Sequence, residues 1–173
     1  MGRSRIAGSK HRGPGRMYLS VKQPPLRLRV FKKREIRTQF AALCYRFHKD
    51  QVQVLLITSR TSRRWILPKG WPLEGEKPAD AAMTEAFEEA GVKGKPIDFC
   101  IGMYSYMKVM SKKLSLPCAV SVFPVRVKKL VDDFPEAGQR KRKWVTPKKA
   151  AKLVREPELQ KILLHFDPAM LER

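Results

Sequence analysis

Apolar and polar positions along the chain predict a mixture of strands and helices. Residues 38–47 (TQFAALCYRF) form an apolar-rich run that reads as a strand. Lys49 and Asp50 supply a turn, and residues 52–58 (VQVLLIT) read as its hairpin partner. A polar loop covers 59–64, and Trp65-Ile66-Leu67 is a short apolar piece ended by Pro68-Lys69-Gly70. Pro78 suits the first turn of a helix, where its missing N–H is no loss, and Asp80 favours the positive end of the dipole. That helix is expected to run to about Ala90, with Gly91 as the residue that ends it. Residues 97–106 and 116–127 read as strands, 128–143 as a charged loop and Trp144-Val145 as a short strand. Thr146 caps and Pro147 opens a helix through about Val154, and residues 158–166 (ELQKILLHF) read as a last amphipathic helix. Strands mixed with three helices, without a long repeat, predict an α/β or α+β sandwich.

The length of 173 residues suits one domain. No apolar run approaches the ~18–20 residues of a membrane span, which excludes an integral membrane helix. Three widely spaced cysteines, Cys44, Cys100 and Cys118, rule out a disulfide scaffold or a Cys-based zinc site. A reducing compartment, the cytoplasm, is expected.

Charge changes this picture more than composition does. Lys and Arg total 37 against 16 Asp and Glu, a net charge of +21. The partner is therefore expected to be anionic. The excess is uneven. Residues 1–34 hold no acid but carry bases from Arg3 to Arg34, broken by Gly13-Pro14-Gly15 and Pro24-Pro25. Residues 1–35 thus read as a basic, flexible arm with affinity for polyanions such as nucleic acid, and 36–173 as the folded domain. No apolar segment follows these charges, which argues against a signal peptide, and the Gly and Pro breaks argue against an amphipathic transit helix.

The acids are concentrated elsewhere. Glu74, Glu76, Asp80, Glu85, Glu88 and Glu89 fall within sixteen residues. At ~100° per residue, Glu88 and Glu89 lie within about 60° of Glu85, so three carboxylates share one helix face. Ala82, Ala86, Ala90, Met83 and Phe87 occupy the adjoining arc and should face the core. Like charges at these spacings cost about 0.2–0.5 kcal/mol per pair, and an acid in the last turn about 0.3–1 kcal/mol. A hard divalent cation would remove both penalties. Mg²⁺ prefers carboxylate oxygens, keeps waters and phosphates as its other ligands, and lowers the pKa of a bound water. The helix therefore points to attack of water on a phosphoanhydride, against the blander reading of a solvated acidic face.

Residues 70–92, GWPLEGEKPADAAMTEAFEEAGV, resemble the signature box of the Nudix hydrolases, G-x5-E-x7-R-E-U-x-E-E-x-G-U, where U is a bulky aliphatic residue. Gly70 fits the first Gly, Glu76 the first Glu, and Glu85, Glu88 and Glu89 the helical acids, while Gly91-Val92 closes the box. Ala86 is small for a U position. Thr84 stands where the family has Arg, a residue understood to brace helix and loop, and a nearby base such as Lys69 is a candidate substitute. The resemblance implies an α/β/α sandwich around a mixed sheet. It also implies cleavage of diphosphates linked to a second moiety, with Mg²⁺ or Mn²⁺ held by Glu85, Glu88 and Glu89. One of those acids would be the general base, the Gly70 carbonyl would join the metal shell and Glu76 would support the loop. Within the superfamily, Ala41-Ala42-Leu43-Cys44-Tyr45-Arg46, Arg64-Trp65-Ile66-Leu67-Pro68, Glu88 to Gly94 and Gly138 to Trp144 look similar to the diphosphoinositol polyphosphate phosphohydrolases. Pro68-Lys69-Gly70 also occurs in diadenosine polyphosphate hydrolases.

A polyphosphorylated substrate needs many bases. Arg37, Arg46, Arg63, Arg64 and Lys69 lie before or beside the box, Lys108, Lys112 and Lys113 in an expected hairpin loop, and Arg140, Lys141 and Arg142 beyond it. Arg37, Arg46, Arg64, Lys69, Lys108, Lys112, Arg140 and Arg142 are the expected phosphate contacts. A nucleotide would add an aromatic clamp, for which Trp71, Tyr104 and Tyr106 are candidates.

Overall fold

The computed structural model describes residues 36–171, and the basic arm lies outside them. Eight strands form one mixed sheet: β1 Arg37–His48, β2 Gln51–Thr58, β3 Trp65–Ile66, β4 Lys69–Gly70, β5 Val92–Pro96, β6 Gly102–Val109, β7 Ser115–Leu130 and β8 Arg142–Val145. The helices are α1 Pro78–Ala90, α2 Pro147–Leu153 and α3 Pro157–Leu164, followed by a 3₁₀ turn at Pro168–Leu171. The path across the sheet is β3-β2-β1-β7-β5. In addition β4 pairs with β1, β6 with β7 and β8 with β2. β1 and β7 are parallel, from Arg37 opposite Cys118 to Tyr45 opposite Arg126, and the other pairings are antiparallel.

Both faces of the sheet are covered, which is why β1 reads as an apolar run rather than a clean alternation. Ala41, Leu43 and Tyr45 pack towards α2 and α3, while Ala42 and Cys44 pack towards α1. The result is the expected α/β/α sandwich. Ala79, Ala82, Ala86 and Ala90 form the buried stripe of α1, with Met83 packed against its edge. Small side chains there let the helix approach the strands closely. Pro78 opens α1 after Lys77, and Gly91 ends it at φ 65°, donating to the Phe87 carbonyl at 2.8 Å. A Cβ at Gly91 would strike the Val131 carbonyl and the Phe134 ring.

Three boundaries differ from the expectation. The apolar pattern left Val92–Pro96 unassigned, because Lys93, Gly94, Lys95 and Pro96 read as loop. The segment is an edge strand on β7, where one free side tolerates Lys and Pro. β7 consequently runs on to Leu130, into the segment expected to be a charged loop. The strand expected from Ile97 starts at Gly102 instead, since Ile97 to Ile101 bonds to β7 only through isolated loop contacts.

Candidate active site

β4 sets the site. Lys69 and Gly70 pair with Ala41 and Phe40 in the middle of β1, which carries the box glycine onto the sheet beneath α1. The Glu85 carboxylate lies over Gly70, so closely that a Cβ on residue 70 would fall on the carboxylate itself. The sequence folds this way because only glycine leaves room there. Gly70→Ala should displace Glu85 and lower turnover by roughly 10²-fold, the effect of a ~1 Å misplacement, in steady-state assays that also follow the melting temperature. Near-native turnover by that variant would show that the Glu85–Gly70 contact is dispensable.

Glu89 is buried at the far end of the same face. Its Oε2 accepts from the Lys69 backbone N–H at 3.0 Å, and its Oε1 accepts from Arg140 Nη2. Arg140 also donates from Nε to Glu136 Oε2 at 2.6 Å and from Nη1 to the Thr58 carbonyl at 3.2 Å. The Glu136 N–H donates to the Glu88 carbonyl at 3.0 Å. Arg142 donates to the carbonyls of Ala90 at 3.1 Å and Val131 at 2.7 Å. Two arginines from beyond β7 therefore offset the negative end of α1, whose own last turn contains no base.

The remaining acids fill distinct positions. Glu88 is exposed. Glu76 accepts from Thr84 Oγ1 at 3.4 Å, a neutral tie between loop and helix where the family has Arg. Burial, then the charges of Glu89, Glu88 and Glu136, push Glu85 up to about 7. Burial also holds Glu89 above the ordinary carboxylate range, opposed by Arg140 and Lys69. Lys69 is drawn down to about 8, first by burial and then by Lys108, Arg64 and Arg140, against the pull of Glu89.

These oxygens suit a hard cation. Burial and the neighbouring acids leave the charged form of Glu85 under-compensated, and Glu88 follows it on the same helix. Glu89 is already engaged by two donors. Among the described residues no three His, Cys, Asp or Glu side chains are drawn into a ready-made ligand set.

The expected phosphate contacts divide. Lys69 Nζ stands 5.0 Å over the Tyr106 ring, Arg64 lies 5.7 Å over the same ring, and Lys108 Nζ is 4.6 Å over Trp71. Arg64 and Lys108 thus lie close enough to Lys69 on β4 for their charges to act on it. Arg64 is also paired with Glu156. Arg37 is exposed at the start of β1, and Lys112 is exposed in the β6–β7 turn. Arg46 corrects the expectation: it donates to Gln53 Oε1 at 2.8 and 3.0 Å and stacks 4.2 Å over Trp144, near the opposite end of β1 from β4. Arg142 does likewise, since it ties the end of α1 and pairs with Asp132 at 2.7 Å. Arg140 is held by Glu89 and Glu136 rather than presented to solvent. Sequence reasoning missed Glu136, Thr58 and Gln39. Gln39 is fully buried and accepts from the Tyr106 hydroxyl at 2.6 Å, fixing the ring beneath Lys69. Glu136 lies four residues before Arg140, a spacing that marks a local ion pair, whereas Thr58 and Gln39 carry no such signal because only the fold brings them near.

A short glycine-bearing strand on a mixed sheet, laid under an acidic helix and sandwiched by further helices, is the arrangement of the Nudix fold. A family model described as "NUDIX domain" matches residues 37–166, and the chain belongs to that family. "Nudix hydrolase 12, mitochondrial" of Arabidopsis thaliana is 31% identical over 120 residues, 68% of this chain and 59% of that protein. "Diphosphoinositol polyphosphate phosphohydrolase 3-alpha" of Mus musculus is 29% identical over 136 residues, 78% of this chain and 79% of that protein. The chain thus spans about three fifths of the plant relative and four fifths of the mouse one. Among solved structures, the C. elegans Ap4A hydrolase superposes with a TM-score of 0.53 at 18% identity, covering 75% of this chain and 94% of that one. The E. coli dihydroneopterin triphosphate pyrophosphohydrolase gives 0.57 at 19% identity, covering 75% and 93%. At these identities the likeness to solved structures speaks for the fold.

Proposed function

We propose that this domain hydrolyses a phosphoanhydride bond in a polyphosphorylated small molecule, with Mg²⁺, or Mn²⁺ in its place, as cofactor. The observation that carries the reading is the Glu85 carboxylate seated on Gly70, with Glu88 and Glu89 on the same helix end. Glu85, Glu88, Glu89 and the Gly70 carbonyl are the oxygen donors offered to the ion. When bound, the ion polarises a phosphoryl oxygen and acidifies a water. Glu89 suits the role of general base: both its oxygens are oriented, and burial raises its proton affinity. Lys69, Lys108 and Arg64 face the substrate's phosphates, while Arg37 and Lys112 lie at the periphery.

Diphosphoinositol polyphosphates and dinucleoside polyphosphates are the two substrate classes favoured, consistent with the names of the mouse and nematode relatives. Trp71, 37% exposed beneath Lys108, supports a nucleotide more than an inositol ring, since it offers a face on which a base can stack. The discriminating experiment is a Mg²⁺-containing panel of inositol pyrophosphates, diadenosine polyphosphates, nucleotide sugars and 5′-triphosphorylated RNA. A second reading, a catalytically weak module that binds RNA, draws on Thr84 and the acid-free arm. Deleting residues 1–34 separates them: RNA affinity should collapse if the arm binds nucleic acid, while small-molecule turnover should survive. Hydrolysis of RNA 5′ ends alone would move the substrate class without moving the chemistry.

No helix among the described residues is long and apolar enough to cross a membrane. Cys44, Cys100 and Cys118 are all free, which supports a reducing, cytoplasmic setting.

A further inference from the structure

We infer that Arg140 is a positioning residue for Glu89 and not a ligand of substrate phosphate, an assignment that rests on the hydrolytic reading above. The Arg140 side chain is only 5% exposed. Its three guanidinium nitrogens reach three acceptors: Nη2 the Glu89 carboxylate on α1, Nη1 the carbonyl of Thr58 at the end of β2, and Nε the carboxylate of Glu136, four residues earlier in its own segment. Three of its five N–H donors are therefore occupied, on a guanidinium that water scarcely reaches and that a substrate phosphate would reach no more easily.

The anchors of Arg140 are themselves held. Glu136 receives a second base, Arg60 at 3.4 Å, and its N–H bonds the Glu88 carbonyl. Lys141 N donates to Thr58 Oγ1 at 3.0 Å, fixing the backbone next to Arg140. Glu89 is thus clamped from two sides. The Lys69 amide, on β4, holds one oxygen, and the guanidinium, from the segment before β8, holds the other.

The box explains why an outside residue is needed. Position 84 is Thr, whose hydroxyl reaches Glu76 and carries no charge. α1 has no base in its last turn, and Glu89 lies at the negative end of the helix, buried. A buried carboxylate without a cationic partner is strongly unfavourable. Arg140 supplies that partner and at the same time fixes the direction of the carboxylate.

The test uses the full chain and the best substrate of the panel. Arg140→Ala should lower kcat by about 30–100-fold with KM within about threefold. Arg140→Lys should fall between the two proteins in kcat. A tenfold or greater rise in KM with kcat retained would make Arg140 a phosphate ligand and overturn the inference. Stability provides a readout independent of turnover. Arg140→Ala should lower the melting temperature by about 6–12 °C in the otherwise native chain but by less than about 3 °C beside Glu89→Gln. Equal drops in both backgrounds would show that the pair is not coupled and overturn the inference. Absence of turnover by the native chain on every substrate would defeat the hydrolytic reading, and the stability cycle would still decide the pairing.

Discussion

Glu89→Gln is expected to reduce Mg²⁺-dependent turnover by about 10²–10⁴-fold, the range contributed by a positioned acid–base group. The same change should move the melting temperature by no more than about 2–4 °C, equivalent to about 1 kcal/mol in a domain of this size. The two expectations are compatible for a physical reason. Burial raises the proton affinity of Glu89 against the opposing pull of Arg140 and Lys69, and in the variant Arg140 keeps Glu136 as its charged partner. A neutral amide keeps the shape and retains an oxygen to accept from Arg140 or from the Lys69 N–H. What it cannot do is take a proton. Turnover by Glu89→Gln at the native rate would remove Glu89 from the chemistry.

The second large effect is the coupling of metal, pH and stability through Glu85. Its proton affinity in the folded state is raised to about 7 from an ordinary value of 4.5, chiefly by burial and then by neighbouring acids. A carboxyl with a raised folded pKa favours folding in its protonated form. That contribution is fully present below the unfolded pKa and is lost as pH rises through the folded one. The metal-free domain should therefore lose stability between about pH 4.5 and 7. Part of this loss is softened by solvent, because Glu85 is only partly buried. Mg²⁺ competes with the proton for the same oxygens. At a concentration near 100 times its dissociation constant it should add about 2.7 kcal/mol at pH 8, a rise of roughly 5–10 °C, and much less at pH 5.5. Melting curves with and without Mg²⁺ at the two pH values test this, and a shift independent of pH would place the ion away from Glu85.

Much of the site was legible in the sequence because its backbone is local. The box glycine at position 70, the helix opened by Pro78 and ended by Gly91, and the three acids on one face all follow from spacing within 23 residues. The central strands were legible for a similar reason, since continuous apolar runs mark strands covered on both faces. Edge strand β5 was not, because an edge is built from the residues that mark loops. The roles of the bases were the least legible part. Arg46, Arg140 and Arg142 were read together with Lys69 and Lys108 as phosphate contacts, and nothing in their spacing separates them. Glu136 stands only four residues before Arg140 and Gln53 faces Arg46 across the β1–β2 hairpin, but Glu89, Thr58 and the carbonyl of Ala90 become neighbours of these arginines only through the fold. Thr84 was visible as a departure, but the guanidinium that partners Glu89 lies 51 residues after that acid.

The parallel pairing of β1 with β7 has a consequence for how the protein comes into being. Cys118 stands opposite Arg37 across 81 positions of chain. At synthesis rates of ~5–20 residues per second, β1 waits roughly 4–16 s before its central neighbour exists. Through that interval β2 and β4 are the partners within reach, and the edge of β1 that β7 will cover stays open. Such non-local topology belongs to the slower range of domain folding. The nascent hairpin of β1 and β2 is thus the stage at which this chain is most exposed to self-association and most in need of a chaperone.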